Sequence, residues 1–161
     1  MSDSGQAKVC TLLFLQRENE LLLAMKKRGF GANRWNGVGG KVEASETIEQ
    51  ALVRECQEEI AVTPTEYHKV AINLFHEFHE GQHADMEVHV YLCTAWEGEP
   101  SESEEMAPYW FNVDSVPYDK MWADDKHWLP AVLAGKQLRA IFNLDANDSI
   151  VDFTVTEVVE L

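Results

Sequence analysis

The order of patterns along the chain predicts an α+β fold, a mixed β-sheet sandwiched between α-helices. Three observations predict it. Short apolar runs bracketed by turn residues come in three groups. A segment of helical period follows each of the first two. The 161 residues suffice for one domain with its own core, burying about 70% of the unfolded surface. A single domain over residues 1–161 is therefore expected.

The elements follow in order. Val9 to Leu15 and Leu21 to Met25 read as strands joined by a turn through Arg17-Glu-Asn-Glu20. Gly29 to Gly40 holds five glycines and reads as a loop of unusual backbone freedom. A helix is expected over Thr47 to Ala61. Thr47 and Gln50 fit a capping box, and Ile48, Leu52, Cys56 and Ile60 form an i+4 stripe. Pro64 keeps that helix from running further. Val70 to Phe78 and Met86 to Trp96 read as a long hairpin around His79 to His83. Glu97 to Glu105 is an acidic loop, and Tyr109 to Val113 a short strand. Asp124 to Leu133 reads as a second helix, with Pro130 tolerable only close to its first turn. Leu138 to Asn143 and Ile150 to Thr156 are the last strands, joined through Asp145 to Asp148.

Composition narrows the function classes. Hydrophobic residues at 45% and charged residues at 25% exclude a wholly disordered chain. Thirteen Lys and Arg against twenty-eight Asp and Glu give −15, the wrong sign for coating a nucleic-acid polymer. If such a chain binds a polyphosphate, a divalent metal held by carboxylates must bring the positive charge. The plainer account of the acidity is solubility. Cys10, Cys56 and Cys93 contain no CxxC pair, which supports neither a zinc knuckle nor a disulfide framework and fits a reducing compartment. The first residues are polar, and the apolar runs are too short to span a membrane. A cytoplasmic protein without membrane attachment is expected, and nothing demands more than a monomer.

The end of the first helix is chemically odd. At about 100° per residue, Glu58 lies about 60° to one side of Glu55 and Glu59 about 40° to the other, so the three share a face. Acids near a helix C-terminus are unfavourable, and Glu55 and Glu59 repel at i,i+4. A hard divalent cation between them reverses those signs. Arg54 can pair with Glu58 or brace a carboxylate. The competing account is a solvated acidic face.

Gly40-Lys-Val-Glu-Ala-Ser-Glu46 followed by Arg54-Glu-Cys-Gln-Glu-Glu-Ile-Ala-Val62 resembles the Nudix box: Gly, five residues, Glu, seven residues, then Arg-Glu-U-x-Glu-Glu-x-Gly-U, with U bulky and apolar. Cys56 stands at a U position and Ala61 replaces the usual Gly. Ala61 is expected to fit if the backbone there stays near helical. Met25 to Val42, Met86 to Val90, Glu105-Met106, Trp110-Phe111 and Met121 to Asp125 with Trp128 are similar to the branch of the family acting on oxidised purine nucleoside triphosphates.

The resemblance implies the Nudix fold and hydrolysis of such triphosphates, 8-oxo-dGTP and 2-hydroxy-dATP among them, to monophosphate and pyrophosphate. It implies Mg²⁺, with Mn²⁺ as a substitute, on the Gly39 carbonyl and on Glu55, Glu58, Glu59 and Glu105. Catalytic roles fall to Glu59, Glu105, Glu55 and Arg54; Glu59 or Glu105 would handle the attacking water. Gly39, Gly40 and Lys26 would lie near the phosphates or sugar. Thr11, Phe30, Asn36, Phe75, Met86, Trp122, Asp124, Asp125 and Trp128 would line the base pocket. Ala123 stands where that branch has Pro, His127 where it has Tyr, and the hairpin near Gly81 is about two residues longer.

Some residues keep a plainer account. Asp124 and Asp125 at a helix start are natural caps; beside Trp122 and Asn36 they also suit a purine edge, one acid keeping its proton. His89 suits a satisfied core position, and His76, His79 and His83 make a poor metal site on alternating strand faces. Two further functions compete: hydrolysis of another nucleoside diphosphate derivative (ADP-ribose, a dinucleotide polyphosphate or a cap), and nucleotide binding without catalysis. The Glu55, Glu58 and Glu59 set argues against the latter. Asn36, Trp122, Asp124 and Asp125 argue against the former.

Overall fold

The structure, a computed structural model, describes residues 8–79 and 82–161. Strands β1 (Lys8–Arg17) and β2 (Glu20–Lys26) form at the first two apolar runs. In β1 the side chains alternate: Leu13 and Leu15 join one core cluster, Leu12 and Phe14 the other. A short strand β3 (Trp35–Asn36) lies inside the glycine-rich loop and pairs with β2.

Helix α1 (Ile48–Ile60) begins on the expected capping box. Gln50 N donates to Thr47 Oγ1 at 3.1 Å, and Thr47 N donates to Gln50 Oε1 at 2.9 Å. Leu52, Cys56 and Ile60 are buried, and Ile48 packs at the edge of the same cluster. The helix exit departs from expectation. Ala61 is left-handed (φ 61°, ψ 33°) and its N–H donates to the Gln57 carbonyl. The chain turns sharply there to enter β4, which a helical residue would not allow.

Strands β4 (Thr63–His79) and β5 (Gln82–Glu97) form the hairpin. β4 starts well before Val70: Pro64 sits at the strand's beginning, and register shifts between Pro64 and Ala71 blur the alternation there. Strand β6 (Met106–Asn112) pairs along the length of β2. Helix α2 (Asp125–Leu133) carries Pro130 in its second turn, later than the first-turn placement expected. In so short a helix the ring leaves little more than the Lys126 carbonyl without its donor. Strands β7 (Gln137–Leu144) and β8 (Ile150–Val158) close the chain.

The sheet runs β3-β2-β1-β5-β4-β7-β8, with β6 on β2. It is mixed: β1 runs parallel to β5 and β4 parallel to β7, the other pairs antiparallel. One core cluster places Leu52, Cys56 and Ile60 of α1 on one face. The other places Trp128, Leu129 and Val132 of α2 on the opposite face. The α+β sandwich expected from the sequence is the one observed. The three cysteines are free thiols. Among the described residues no helix is long and apolar enough to cross a membrane.

Candidate active site

The first half of the site is the C-terminal face of α1. Arg54 organises it. Its guanidinium grips Glu46 with two bonds of 2.6 and 2.9 Å, and reaches Glu58 at 3.1 Å and Glu55 at 3.3 Å. The bidentate grip on Glu46 holds that carboxyl down at about 2. Sequence reasoning assigned no role to Glu46, although the box spacing from Gly40 marks it.

Glu59 is 8% exposed and accepts a hydrogen bond of 3.0 Å from the Gly39 amide. Burial pushes its pKa up to about 7; the Gly39 N–H opposes this, and the charges of Glu55 and Glu105 add to it. Burial also raises the half-buried Glu55, against the pull of Arg54. Glu58 is exposed. Gly40 is required by close approach: a Cβ there would lie 2.3 Å from Glu55 Oε2. Thr11 is buried, its hydroxyl 3.4 Å from both the Gly40 carbonyl and the Gly40 amide. It alternates with Leu13, on the α1 side of the sheet, where it supports this loop.

Glu105 arrives from the acidic loop, immediately before β6. Lys27 N donates to the Glu105 carbonyl at 2.8 Å. The Lys27 side chain pairs with Glu102, and Arg28 with Glu104 at 3.4 Å. Ser101 N donates to the Ile60 carbonyl at the end of α1. Lys26 is close enough to Glu59 to favour its charged form. The sequence alone did not show these ties, because they join segments far apart in the chain.

Among the described residues no three carboxylate, Cys or His side chains converge on one point. Arg54 holds Glu55 and Glu58, and the Gly39 amide holds Glu59. The grouping is nonetheless all oxygen and strongly negative, the chemistry that suits a hard divalent cation.

The second half lies where the segment before α2 meets the glycine-rich loop. Trp122 packs against that loop: Phe30 lies 5.1 Å away ring to ring, and the Arg34 guanidinium 4.3 Å from the ring centre. A Cβ on Gly31 would touch Trp122 at 3.0 Å. Phe30 itself is 75% exposed. A groove of about 420 Å³ opens beside Trp122, lined by Ala32, Asn33, Arg34, Asp119, Lys120 and Met121. Asn36 pairs with Ala24 of β2, which belongs to the α1-side cluster, so Asn36 stands on the same side of the sheet as Thr11; its side-chain oxygen accepts from Gly37 N at 2.9 Å.

Asp124 stands at the N-cap position of α2 but makes no capping bond. Its Oδ2 accepts the Trp128 indole N–H at 2.8 Å instead. Trp128 is fully buried, so it anchors Asp124 from beneath and presents no surface of its own. Asp125 is 2% exposed and its Oδ2 has no partner. Burial raises both acids, and Asp125, facing the Asp124 charge as well, is raised well above the ordinary range. The capping account therefore fails for Asp124.

On the sheet, Phe75 is buried against Phe142 and in register with Met86 of β5. His127 stacks on Phe153 at 4.1 Å, and Ala123 is exposed. His89 is buried, with Nε2 2.6 Å from Glu87 and Nδ1 unpartnered, so it is only half satisfied. His76 pairs with Asp85 at 2.8 Å. The side chains of His79 and His83 and the lengthening at Gly81 lie outside the described residues.

One loop thus touches both halves. Its Phe30, Gly31 and Arg34 meet Trp122, and its Gly39 and Gly40 meet Glu59 and Glu55. A mixed sheet between two helices, with this loop leading into a glutamate-bearing helix, defines a class. The NUDIX domain model matches residues 6–132, and the chain belongs to the Nudix family. It is 44% identical over 155 residues to the oxidized purine nucleoside triphosphate hydrolase of Danio rerio, covering 96% of this chain and 98% of that one. It is 40% identical over 152 residues to the protein of the same description from Mus musculus, covering 94% and 96%. The crystal structure of a mutator MutT protein from Bacillus halodurans superposes with a TM-score of 0.81 at 26% identity, covering 92% of this chain and 97% of that one.

Proposed function

We propose that this protein hydrolyses oxidised purine nucleoside triphosphates, 8-oxo-dGTP and 2-hydroxy-dATP among them, to the monophosphate and pyrophosphate, and so cleanses the nucleotide pool. The observation that carries the reading is the glycine-rich loop, which joins the aromatic pair Phe30 and Trp122, just ahead of Asp124 and the buried Asp125, to a face of glutamates. The cleft suits a base and the glutamate face a polyphosphate. The relatives named above support the substrate class.

In this reading Glu55, Glu58, Glu59 and Glu105, with the Gly39 carbonyl, hold Mg²⁺, or Mn²⁺ in its place. When bound, the cation supplies charge neutralisation and leaving-group stabilisation. Arg54 keeps the helix face in order through Glu46 and Glu55. Lys26 attracts the phosphates. Glu59 or Glu105 orients a water and takes its proton as the water oxygen bonds to phosphorus and one phosphoanhydride bond breaks. Trp122 stacks on the base over a floor of Phe75 and Met86, with Phe30 at the rim. Asp125 donates and Asp124 accepts along the purine edge. The protein works as a monomer in the cytoplasm or wherever else nucleotide pools are kept, mitochondrion and nucleus included.

The test is turnover of a panel of 8-oxo-dGTP, 2-hydroxy-dATP, dGTP and ADP-ribose. Preference for the oxidised triphosphates is expected, with monophosphate and pyrophosphate as products. Preference for ADP-ribose would keep the Nudix chemistry and overturn the base assignment.

A further inference from the structure

β4 carries a polar residue where its neighbours on the same face are apolar. Asn73 is 1% exposed and sits between Ala71 and Phe75 on the side of the sheet that α2 covers. Its neighbours across the sheet are Val88 in β5 and Ala140 in β7, neither of which offers a side-chain hydrogen bond. Asn73 Oδ1 has no partner. A buried acceptor without a donor weakens a core that Leu or Val would fill better, so stability does not account for the residue.

Position supplies another account. Phe75, the next residue on this face, is in register with Met86, and both belong to the proposed floor of the base cleft. Asp125 Oδ2, on the same side of the sheet, is likewise buried and unpartnered. The neighbours of Asn73, Ala71 on the same strand and Ala140 across the sheet, are small residues. Among the described residues, the buried face thus holds two polar side-chain atoms without a hydrogen-bond partner.

We infer that Asn73 is a specificity-determining residue, its carboxamide oxygen accepting a hydrogen bond from an N–H of the bound purine. The inference rests on the function proposed above. The chemistry selects the donor. An 8-oxopurine carries a hydrogen on N7 that the unmodified purine lacks, so an acceptor facing N7 favours the oxidised base. Asp124 and Asp125 then read the other edge.

The test compares kcat/KM of the wild type and Asn73→Leu on 8-oxo-dGTP, dGTP, 2-hydroxy-dATP and dATP, with urea unfolding of both proteins. The preference for 8-oxo-dGTP over dGTP is expected to fall about tenfold, the scale of one hydrogen bond, chiefly through KM. The preference for 2-hydroxy-dATP over dATP stays, and the unfolding midpoint does not drop. An unchanged 8-oxo-dGTP to dGTP ratio overturns the inference, as does an equal loss on all four substrates. Asn73→Val, β-branched for a strand, takes the place of Leu if that variant does not fold. A wild type that turns over neither oxidised triphosphate overturns the proposed function and this inference with it. A wild type that does, with ratios indifferent to Asn73, overturns the inference alone.

Discussion

Trp128 donates its indole N–H to Oδ2 of Asp124 across 2.8 Å, one turn away on the same helix. The bond turns Asp124 away from capping α2 and fixes it to a side chain that the core holds on every side. Asp125 is left as the acid with an unpartnered oxygen. Trp128→Phe keeps most of the ring and removes the N–H. Stability is expected to fall by about 1 kcal/mol, the loss of one hydrogen bond to a part-buried carboxylate. Urea unfolding measures the loss, and KM for the oxidised purines rises with it.

The acid pair ties stability to pH. Burial lifts Asp125 well above 3.8, and the charge on Asp124 lifts it further. Below 3.8 the folded and unfolded states both hold the proton and nothing is lost. As pH rises toward the folded pKa, the unfolded chain releases the proton first, so stability falls across that window. Asp125→Asn is expected to flatten this part of the profile, read as unfolding midpoint against pH. An unchanged slope in the variant would place the titration elsewhere.

Local patterns were legible in the sequence and long-range ones were not. The capping box, the buried stripe of α1 and the apolar runs of β1 and β2 depend on near neighbours, and they formed as read. The pairing of β2 with β6 and the anchoring of the acidic loop by Lys27 and Arg28 join distant segments, and no local signal announces them. The start of β4 was missed because bulges interrupt its alternation. Of the candidate site, the glutamates of α1 were visible by helical spacing. Thr11 and Asn36 were put in the base pocket by resemblance; strand alternation and register place both on the α1 side of the sheet. Asn73 looked like an ordinary strand residue; its burial and missing partner show only in three dimensions.

Gly40 is a test of the phosphate end. A Cβ there would press on the Glu55 carboxylate at 2.3 Å, and a side-chain terminus can move aside. Gly40→Ala is therefore expected to fold with nearly normal stability and to lose about a hundredfold in kcat, since small misplacements of reacting groups cost that much. Gly39→Ala differs: its Cβ meets the Thr11 carbonyl at 2.0 Å, which is backbone, so that variant loses stability as well.

Ala61 holds a left-handed conformation that costs an L-residue roughly 1–2 kcal/mol. Ala61→Gly relieves it, less the extra freedom glycine has when unfolded. A gain of about 1 kcal/mol in urea unfolding is expected, with kcat unchanged.

The central claim is that the glutamate face of α1 carries out the hydrolysis while the cleft around Trp122 holds the base. Glu59→Gln separates the two most directly. Pyrophosphate release from 8-oxo-dGTP would be followed with Mg²⁺ titrated, and binding of the intact nucleotide followed by thermal shift. The account predicts that the variant loses turnover by at least about a hundredfold and still gains stability from the nucleotide. Turnover near the wild-type level in Glu59→Gln would contradict it.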